Sequence, residues 1–406
     1  MTFKAHTLSN GLTVGCDHIP HVETVSIGVY TSVGSRFESN TQQNGIAHFL
    51  EHMAFKGTTT RSAEDISREI EDVGGYMNAF TSRESTAYYI RVLKEDLPLA
   101  VDILSDIMLN STFVQDEIER ERGVILQEIG MYNDTPDDAV FENFQTLAFP
   151  DQPLGRNILG TVQTVSDMTR ADFIDFTGAH YHTGNMLISA AGNISPDDLM
   201  PLLEEKFQAL PQGTKSSFDA ACYKGGAKTE RRDLEQANIV LGYQGQARGT
   251  NEALALDIWT NAVGGGMATP LFQEVREKRG LVYSVYAFSS GFSDTGLFGV
   301  YAGCGENNVN EVLSVTRDVL ADQSENLTEE GFNRAKTQMR AGLRMSLESI
   351  ESRMNRIASS YFVHGKYRTM EQILASIDAV TMDDAMAAAK HMLKTPETLS
   401  LLGAIS

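Results

Sequence analysis

The order of elements readable between residues 23 and 133 begins again about 210 residues later, and this self-similarity constrains the fold more than any single motif. In the first copy, Glu23 to Val33 (ETVSIGVYTSV) has the β-branched, alternating pattern of a strand. Tyr76 to Leu93 reads as two strands around Thr81-Ser82-Arg83-Glu84, followed by an amphipathic helix from Leu97 to Leu109 and a long acidic one from Gln115 to Asn133. In the second copy, Ala237 to Gly242 (ANIVLG) replaces the first strand, and an apolar helix from Glu252 to Val263 follows it. Gly296 to Ala302 and Val309 to Ala321 repeat the later strand and its helix. Leu327 to Phe332 (LTEEGF) opens a long helix much as Phe113 to Ile118 (FVQDEI) does. Two copies of a strand-and-helix unit predict an α+β fold of two duplicated domains, each a mixed β-sheet with packed helices. The polar stretch from Gln212 to Gly226 is the expected boundary, giving domains 1–212 and 213–406.

Punctuation residues fix several further elements. Asn10-Gly11 marks a hairpin turn within Leu8 to Gly15. Gly74-Gly75 closes a helix over Ala63 to Val73. Thr135-Pro136-Asp137-Asp138 opens a fourth helix, with Thr as N-cap, Pro at N1 and Asp at N3. Met186 to Ala191 is an apolar strand, and Ser195 caps a helix from Pro196 to Ala209.

The chemistry concentrates in Thr41 to Gly57 (TQQNGIAHFLEHMAFKG). Read as a helix, Ile46, Phe49, Leu50, Met53 and Ala54 form an apolar stripe, and His48, Glu51 and His52 fall together on the other side. Two imidazoles on adjacent turns can bind one zinc ion, and a carboxylate between them can act on a water at the metal. The order His-x-x-Glu-His is the inverted form of the commoner His-Glu-x-x-His motif. A hydrolytic zinc keeps three protein ligands and one open position. The acidic helix offers Glu117, Glu121 and Glu128 on one stripe, and spacing alone does not choose between Glu121 and Glu128. In the second copy the corresponding helix, ALALDIWTNAVGGG, has no histidine, and Ala335 and Gly342 stand near the places of Glu121 and Glu128. Only the first domain is expected to hold metal.

Bulk properties narrow the function classes. A formal net charge of −21 argues against nucleic acid and favours, if anything, basic peptides. Cys16, Cys222 and Cys304 lie far apart, as reduced thiols of a cytoplasmic protein do. The start, MTFKAHTLSNGLTV, lacks the basic and apolar regions of a signal peptide, and no run of about 18 apolar residues suggests a membrane span. No Gly-x-Ser-x-Gly elbow or Cys/His pairing is present, and Gly264 to Gly266 lacks the Lys-Ser/Thr of a phosphate loop. His180-x-His182 has metal-like residues but no carboxylate company, and reads as an ordinary loop pair.

The segments NGIAHFLEHMAFKGT, GGYMNAFTSRESTAYY, ERERGVILQEI, AGN, GGGM and FQEVREKRGLVYSVYA together resemble the pitrilysin (insulinase-type) zinc peptidases. The resemblance spans the whole chain and is nearest to short bacterial members similar to the β subunit of the mitochondrial processing peptidase. It implies one zinc per chain held by His48, His52 and Glu128, with Glu51 as general base and Glu121 as the supporting carboxylate. It implies that Arg276 and Tyr283, seven apart in the second domain, contact the substrate near the scissile carbonyl. Asn78 and Ala79 match a segment lining the substrate beside an edge strand. Asp138 and Glu142 match acidic residues that recognise a substrate arginine, although Asp138 at N3 has a competing role in completing the Thr135 cap. Thr269-Pro270 departs from the polar or basic pair that relatives carry there, which leaves open how this loop meets a peptide.

The expected activity is that of a zinc endopeptidase acting on peptides or unfolded, presequence-like polypeptides in an enclosed chamber. Because the family's chamber has four such domains and this chain supplies two, a homodimer is expected, with a heterodimer with an inactive related subunit as the alternative. A non-catalytic core subunit of a larger complex is a rival of another class. It normally loses the zinc motif, and here all four of its residues are present.

Overall fold

The structure is a computed structural model that describes residues 2–38 and 41–405; Ser39 and Asn40, within the polar loop before the histidine helix, lie outside the described residues. The first half runs β1 (Thr2–Thr7), β2 (Thr13–His18), β3 (Thr24–Thr31), α1 (Ile46–Met53), α2 (Ala63–Asp72), β4 (Tyr76–Thr81), β5 (Thr86–Leu93), α3 (Leu97–Leu109), α4 (Gln115–Asp134) and α5 (Pro136–Ala148). It continues through α6 (Val162–Asp167), α7 (Arg170–His180), β6 (Met186–Gly192) and α8 (Pro196–Phe207). The second half comprises β7 (Gly226–Arg231), β8 (Ala237–Gly245), α9 (Asn251–Gly264), α10 (Pro270–Phe272, prolonged by a π-turn over Gln273–Glu277), β9 (Val282–Gly291) and β10 (Gly296–Cys304). It ends with α11 (Val309–Glu325), α12 (Glu329–Ser346), α13 (Ile350–His364), α14 (Met370–Ala379), α15 (Met382–Met392) and β11 (Thr398–Gly403). No helix among the described residues is long and apolar enough to cross a membrane.

The strands form two sheets with orders β1-β2-β6-β3-β5-β4 and β7-β11-β8-β10-β9. Pair by pair they match. β2–β6 and β7–β11 are parallel, and the remaining pairs between shared positions are antiparallel in both. The architecture is α+β and duplicated, with β1 the extra strand of the first sheet. β4 and β9 occupy the same edge position.

Two compact units emerge, and each draws on both halves of the sequence. One contains the segment ending at Ile129, Arg156–Asp219 and Met345–Tyr367; the other contains Gly130–Gly155, Ala220–Arg344 and the segment from Arg368 onward. One crossing between the units lies at Asp219/Ala220, and the flanking crossings exchange one helix each way. α5 packs on β7, β8 and β11, burying Val140, Phe144 and Ala148 with Val240, Leu297 and Leu402. α13 packs on β2, β3 and β6, burying Met354 and Ala358 with Tyr30, Ala87, Leu187 and Ala191. Gly15 makes room for it, since a Cβ there would lie 2.4 Å from Ile357 Cγ2. A half-buried ion pair from Arg353 to Asp17 at 2.9 Å and a hydrogen bond from Ser189 to the Met354 carbonyl at 2.7 Å fix the helix further. Helix periodicity says that such a helix must cover an apolar sheet face; it does not say whose.

Two local expectations need adjustment in this part of the fold. The hairpin turns through Leu8 to Leu12, with Gly11 at φ +91, and its strands extend farther than the sequence indicates. Thr135 is the N-cap residue of α5, but its hydroxyl donates back to the Met131 carbonyl at 2.9 Å instead of capping, so Asp138 completes no box.

Candidate metal centre

The histidine helix is shorter than its sequence pattern suggested. Thr41–Gln43 is a separate 3-10 turn, and Gly45 at φ +95 starts α1 at Ile46. A Cβ at residue 45 would stand 2.7 Å from the Leu159 carbonyl, so only glycine fits. Glycine brings no capping side chain, and the Glu38 carboxylate takes that place. Its Oε2 accepts from the Gly45 N–H and from Asn44 Nδ2, both at 3.0 Å, and its Oε1 accepts from the Ala47 N–H at 3.1 Å. Burial pushes the Glu38 carboxyl up to about 7, while these hydrogen bonds and Arg156 pull it down. Beyond the other end of α1, Arg61 binds Glu69, Asp102 and Asp106, which ties the following loop to α2 and α3.

Ile46, Phe49, Leu50 and Met53 are buried as the stripe requires, with Phe49 edge-on to Phe173 at 5.0 Å. Each such side chain contributes roughly 1.5–3 kcal/mol by leaving water. The stripe thus orients the helix, and its other face presents His48, Glu51 and His52. The two imidazole rings lie 4.7 Å apart, centroid to centroid. α4 brings two carboxylates to them. His48 Nε2 is 3.7 Å and His52 Nε2 3.8 Å from Glu128 Oε2, and one ligand atom from each of these three residues lies within 4.8 Å of the others. Glu121 lies two turns earlier and meets the opposite side of the same ring, with His52 Nδ1 3.1 Å from Glu121 Oε2. Its second oxygen holds Lys56 Nζ at 2.8 Å.

This donor set fits a zinc ion. Two imidazole nitrogens and one carboxylate are a hydrolytic zinc site's usual ligands, and in a tetrahedron with bonds of about 2.1 Å the ligand atoms stand about 3.4 Å apart. Burial, then the neighbouring His52, lowers the His48 pKa from 6.5 to about 4, so its ring is neutral and its lone pair available near neutral pH. The Nδ1–H of His52 donates to Glu121 Oε2, which leaves Nε2 as the lone-pair nitrogen. Burial raises the pKa of Glu51; a hydrogen bond with Thr81 of β4 and the His52 charge lower it, and Glu128 raises it again.

The remaining sequence candidates fall in two groups. Asn78 and Ala79 sit in β4, the edge strand of the same sheet, opposite Tyr89 and Tyr88 of β5. Asn78 is exposed and its Oδ1 accepts from the Ala79 N–H at 2.9 Å. Arg276, Tyr283, Asp138 and Glu142 belong to the other unit, so no single unit gathers all the candidates. The Arg276 guanidinium lies 5.4 Å from the centre of the Tyr283 ring, which is 77 % exposed, and 4.8 Å from that of Phe272. Asp138 and Glu142 stand one turn apart on α5, and neighbouring Asp137 accepts from the Tyr301 hydroxyl at 3.1 Å. His180 and His182 form no metal pair: His180 Nδ1 bonds Ser216 at 3.0 Å and His182 Nε2 faces Asn185 Nδ2 at 3.2 Å.

Sequence reasoning missed Glu38, Lys56 and Thr81. Lys56 had a signal, four residues beyond His52, whereas Glu38 reaches α1 through a loop with no periodicity to read.

Residues 13–162 match the family described as Insulinase (Peptidase family M16), and residues 167–339 match the Peptidase M16 inactive domain. An uncharacterized zinc protease of Rickettsia felis is 40% identical over 402 residues, covering 99% of this chain and 97% of that protein. The uncharacterized zinc protease YmxG of Bacillus subtilis is 34% identical over 401 residues, covering 98% of each. The fold is that of a peptidase M16 inactive domain from Pseudomonas fluorescens (TM-score 0.92, 19% identity, 99% of this chain and 98% of that one). A protease from Helicobacter pylori has the same fold (TM-score 0.90, 22% identity, 99% of each chain). With matches along nearly its whole length, the chain belongs to the insulinase-type M16 peptidase family, in its short bacterial form.

Proposed function

We propose that the protein is a zinc-dependent endopeptidase in which His48, His52 and Glu128 hold the metal. The convergence of these three ligand atoms beside Glu51 carries the reading, and the names of the relatives support a metallopeptidase. When bound, zinc supplies Lewis-acid polarisation of the scissile carbonyl and acidifies the attacking water.

The chain's own groups do the rest. Glu51 accepts the proton of the attacking water and passes it to the leaving amine. Glu121 fixes the tautomer of His52, and Lys56 holds the other Glu121 oxygen in place by pairing with it. The free side of β4 at Asn78 and Ala79 takes an extended peptide as an added strand. Arg276 and Tyr283 orient the peptide and stabilise the developing oxyanion, and Asp138 and Glu142 favour a substrate arginine; these roles rest on the family resemblance alone. The working form is a homodimer holding one zinc per chain.

Glu51→Gln tests the central claim. It is expected to keep its zinc and to lose turnover by about 10³-fold or more. A zinc-loaded variant that still cleaves unfolded peptides would remove Glu51 from the mechanism. Sedimentation of the pure chain checks the assembly, and an inactive monomer would point to a partner subunit.

A further inference from the structure

We infer that Glu38 is a positioning residue for the metal centre, acting through the N-terminus of α1; the inference rests on the zinc reading above. α1 has only eight residues, yet it carries His48, Glu51 and His52, and His48 sits at its third helical position. A helix this short depends on satisfying its first N–H groups, because it has little length over which to average out fraying. Its N-cap, Gly45, offers no side chain for the purpose. Glu38 supplies the missing acceptor from outside the helix, bonding the Gly45 and Ala47 N–H groups with separate oxygens.

The carboxylate is itself held. Asn44 Nδ2 binds Oε2 at 3.0 Å and also reaches the Asn157 carbonyl at 2.9 Å. Arg156 donates to the Glu38 carbonyl at 3.0 Å, and Thr164 donates to the Asn44 carbonyl at 2.7 Å. The start of α1 is therefore tied to the 156–164 segment by the Glu38 and Asn44 backbone carbonyls, and Asn44 Nδ2 links the Glu38 carboxyl group to the same segment. Ala47, one residue before the first histidine, donates its N–H to Glu38 Oε1, so a shift of the cap moves His48 directly. Metal ligands must be held to within about 0.5 Å of their working geometry. Glu38 meets that requirement for His48, as Glu121 does for His52.

Glu38→Gln keeps the shape but sets an amide NH₂ against backbone donors. We expect zinc affinity, measured by chelator competition on the full chain, to fall about 10- to 100-fold. The absorption spectrum of the cobalt-substituted protein should change with it, reporting altered ligand geometry. Thr250→Ala, which removes the N-cap of α9 in the other unit, is the control for general destabilisation. It should leave both readouts unchanged. If Glu38→Gln does not fold, Asn44→Ala frees the carboxylate to turn and should weaken zinc in the same direction by a smaller factor. Unchanged zinc affinity and cobalt spectrum in the Glu38 and Asn44 variants would overturn the inference, as would an equal loss in Thr250→Ala. Wild-type protein that takes up neither zinc nor cobalt would instead overturn the zinc reading itself, and the inference with it.

Discussion

The corner formed by α1 and β4 and the corner formed by α9 and β9 occupy the same place in two sheets of the same order, yet they are built by different means. α9 is self-sufficient. It has 14 residues, its N-cap Thr250 accepts from the Ala253 N–H at 3.1 Å, and Ile258, Trp259, Ala262 and Val263 are buried. Trp259 even satisfies its indole N–H, on the Gln323 carbonyl at 3.1 Å. α1 has eight residues, borrows its cap from Glu38, and keeps a buried imidazole whose Nδ1 has no hydrogen-bond partner. One feature persists in both: a helix carboxyl bonded to a hydroxyl on the edge strand, Glu51 with Thr81 and Asp257 with Ser289. Burial raises the pKa of both carboxyls. The frame thus carries a polar tie at this corner on either side, and the three clustered candidate ligands stand only at the corner whose helix takes its cap from outside.

The largest effect should come from breaking the ligand set. His52→Ala is expected to weaken zinc by about 10³-fold or more, since it removes one of the three proposed protein ligands, whereas Asp257→Asn in the other corner should leave zinc binding intact. Metal content after dialysis checks both, and zinc loss in Asp257→Asn would end the contrast. Next, Trp259→Ala should cost about 3–5 kcal/mol in urea unfolding, because its cavity opens in a fully packed core.

A pH effect follows from His48 in the metal-free protein. Its folded pKa, about 4, lies below the ordinary 6.5. Its contribution to stability is therefore complete above pH 6.5 and is lost as pH falls towards 4. Between pH 7 and pH 5 the wild type should lose about 2 kcal/mol that His48→Gln does not lose, and identical pH profiles in urea titrations would refute the assignment. The smallest effect is Thr250→Ala, about 1 kcal/mol from loss of a cap, with no change in metal. A much larger cost would mean that α9 depends on its cap as heavily as α1 does.

Much of this was legible in the residues because it depends on short-range periodicity. The apolar stripe of α1 and the strands β3, β5 and β8 follow from 3.6- and 2-residue repeats, and the duplication follows from their recurrence. The spacing of Glu121 and Glu128 put both on one face of α4. It left open which would meet Nε2 of the histidines and which Nδ1 of His52, because that depends on where α4 lies against α1. The length of α1 was misjudged for a related reason: the polar pattern continues through Thr41 to Asn44, but a steric requirement at residue 45, set by Leu159 and Gly160, ends the helix there.

By itself, then, the sequence determined the repeated unit, the face that carries His48, Glu51 and His52, and the absence of those groups from the second copy. These are properties of residues within a few turns of one another, where backbone geometry alone sets the neighbours. Only the tertiary structure decided the rest: that α5 and α13 each cover the sheet of the other half, that Glu128 and Glu121 take different nitrogens, and that Glu38 caps a helix it does not belong to. Each of those depends on contacts between separate elements, which no local spacing encodes.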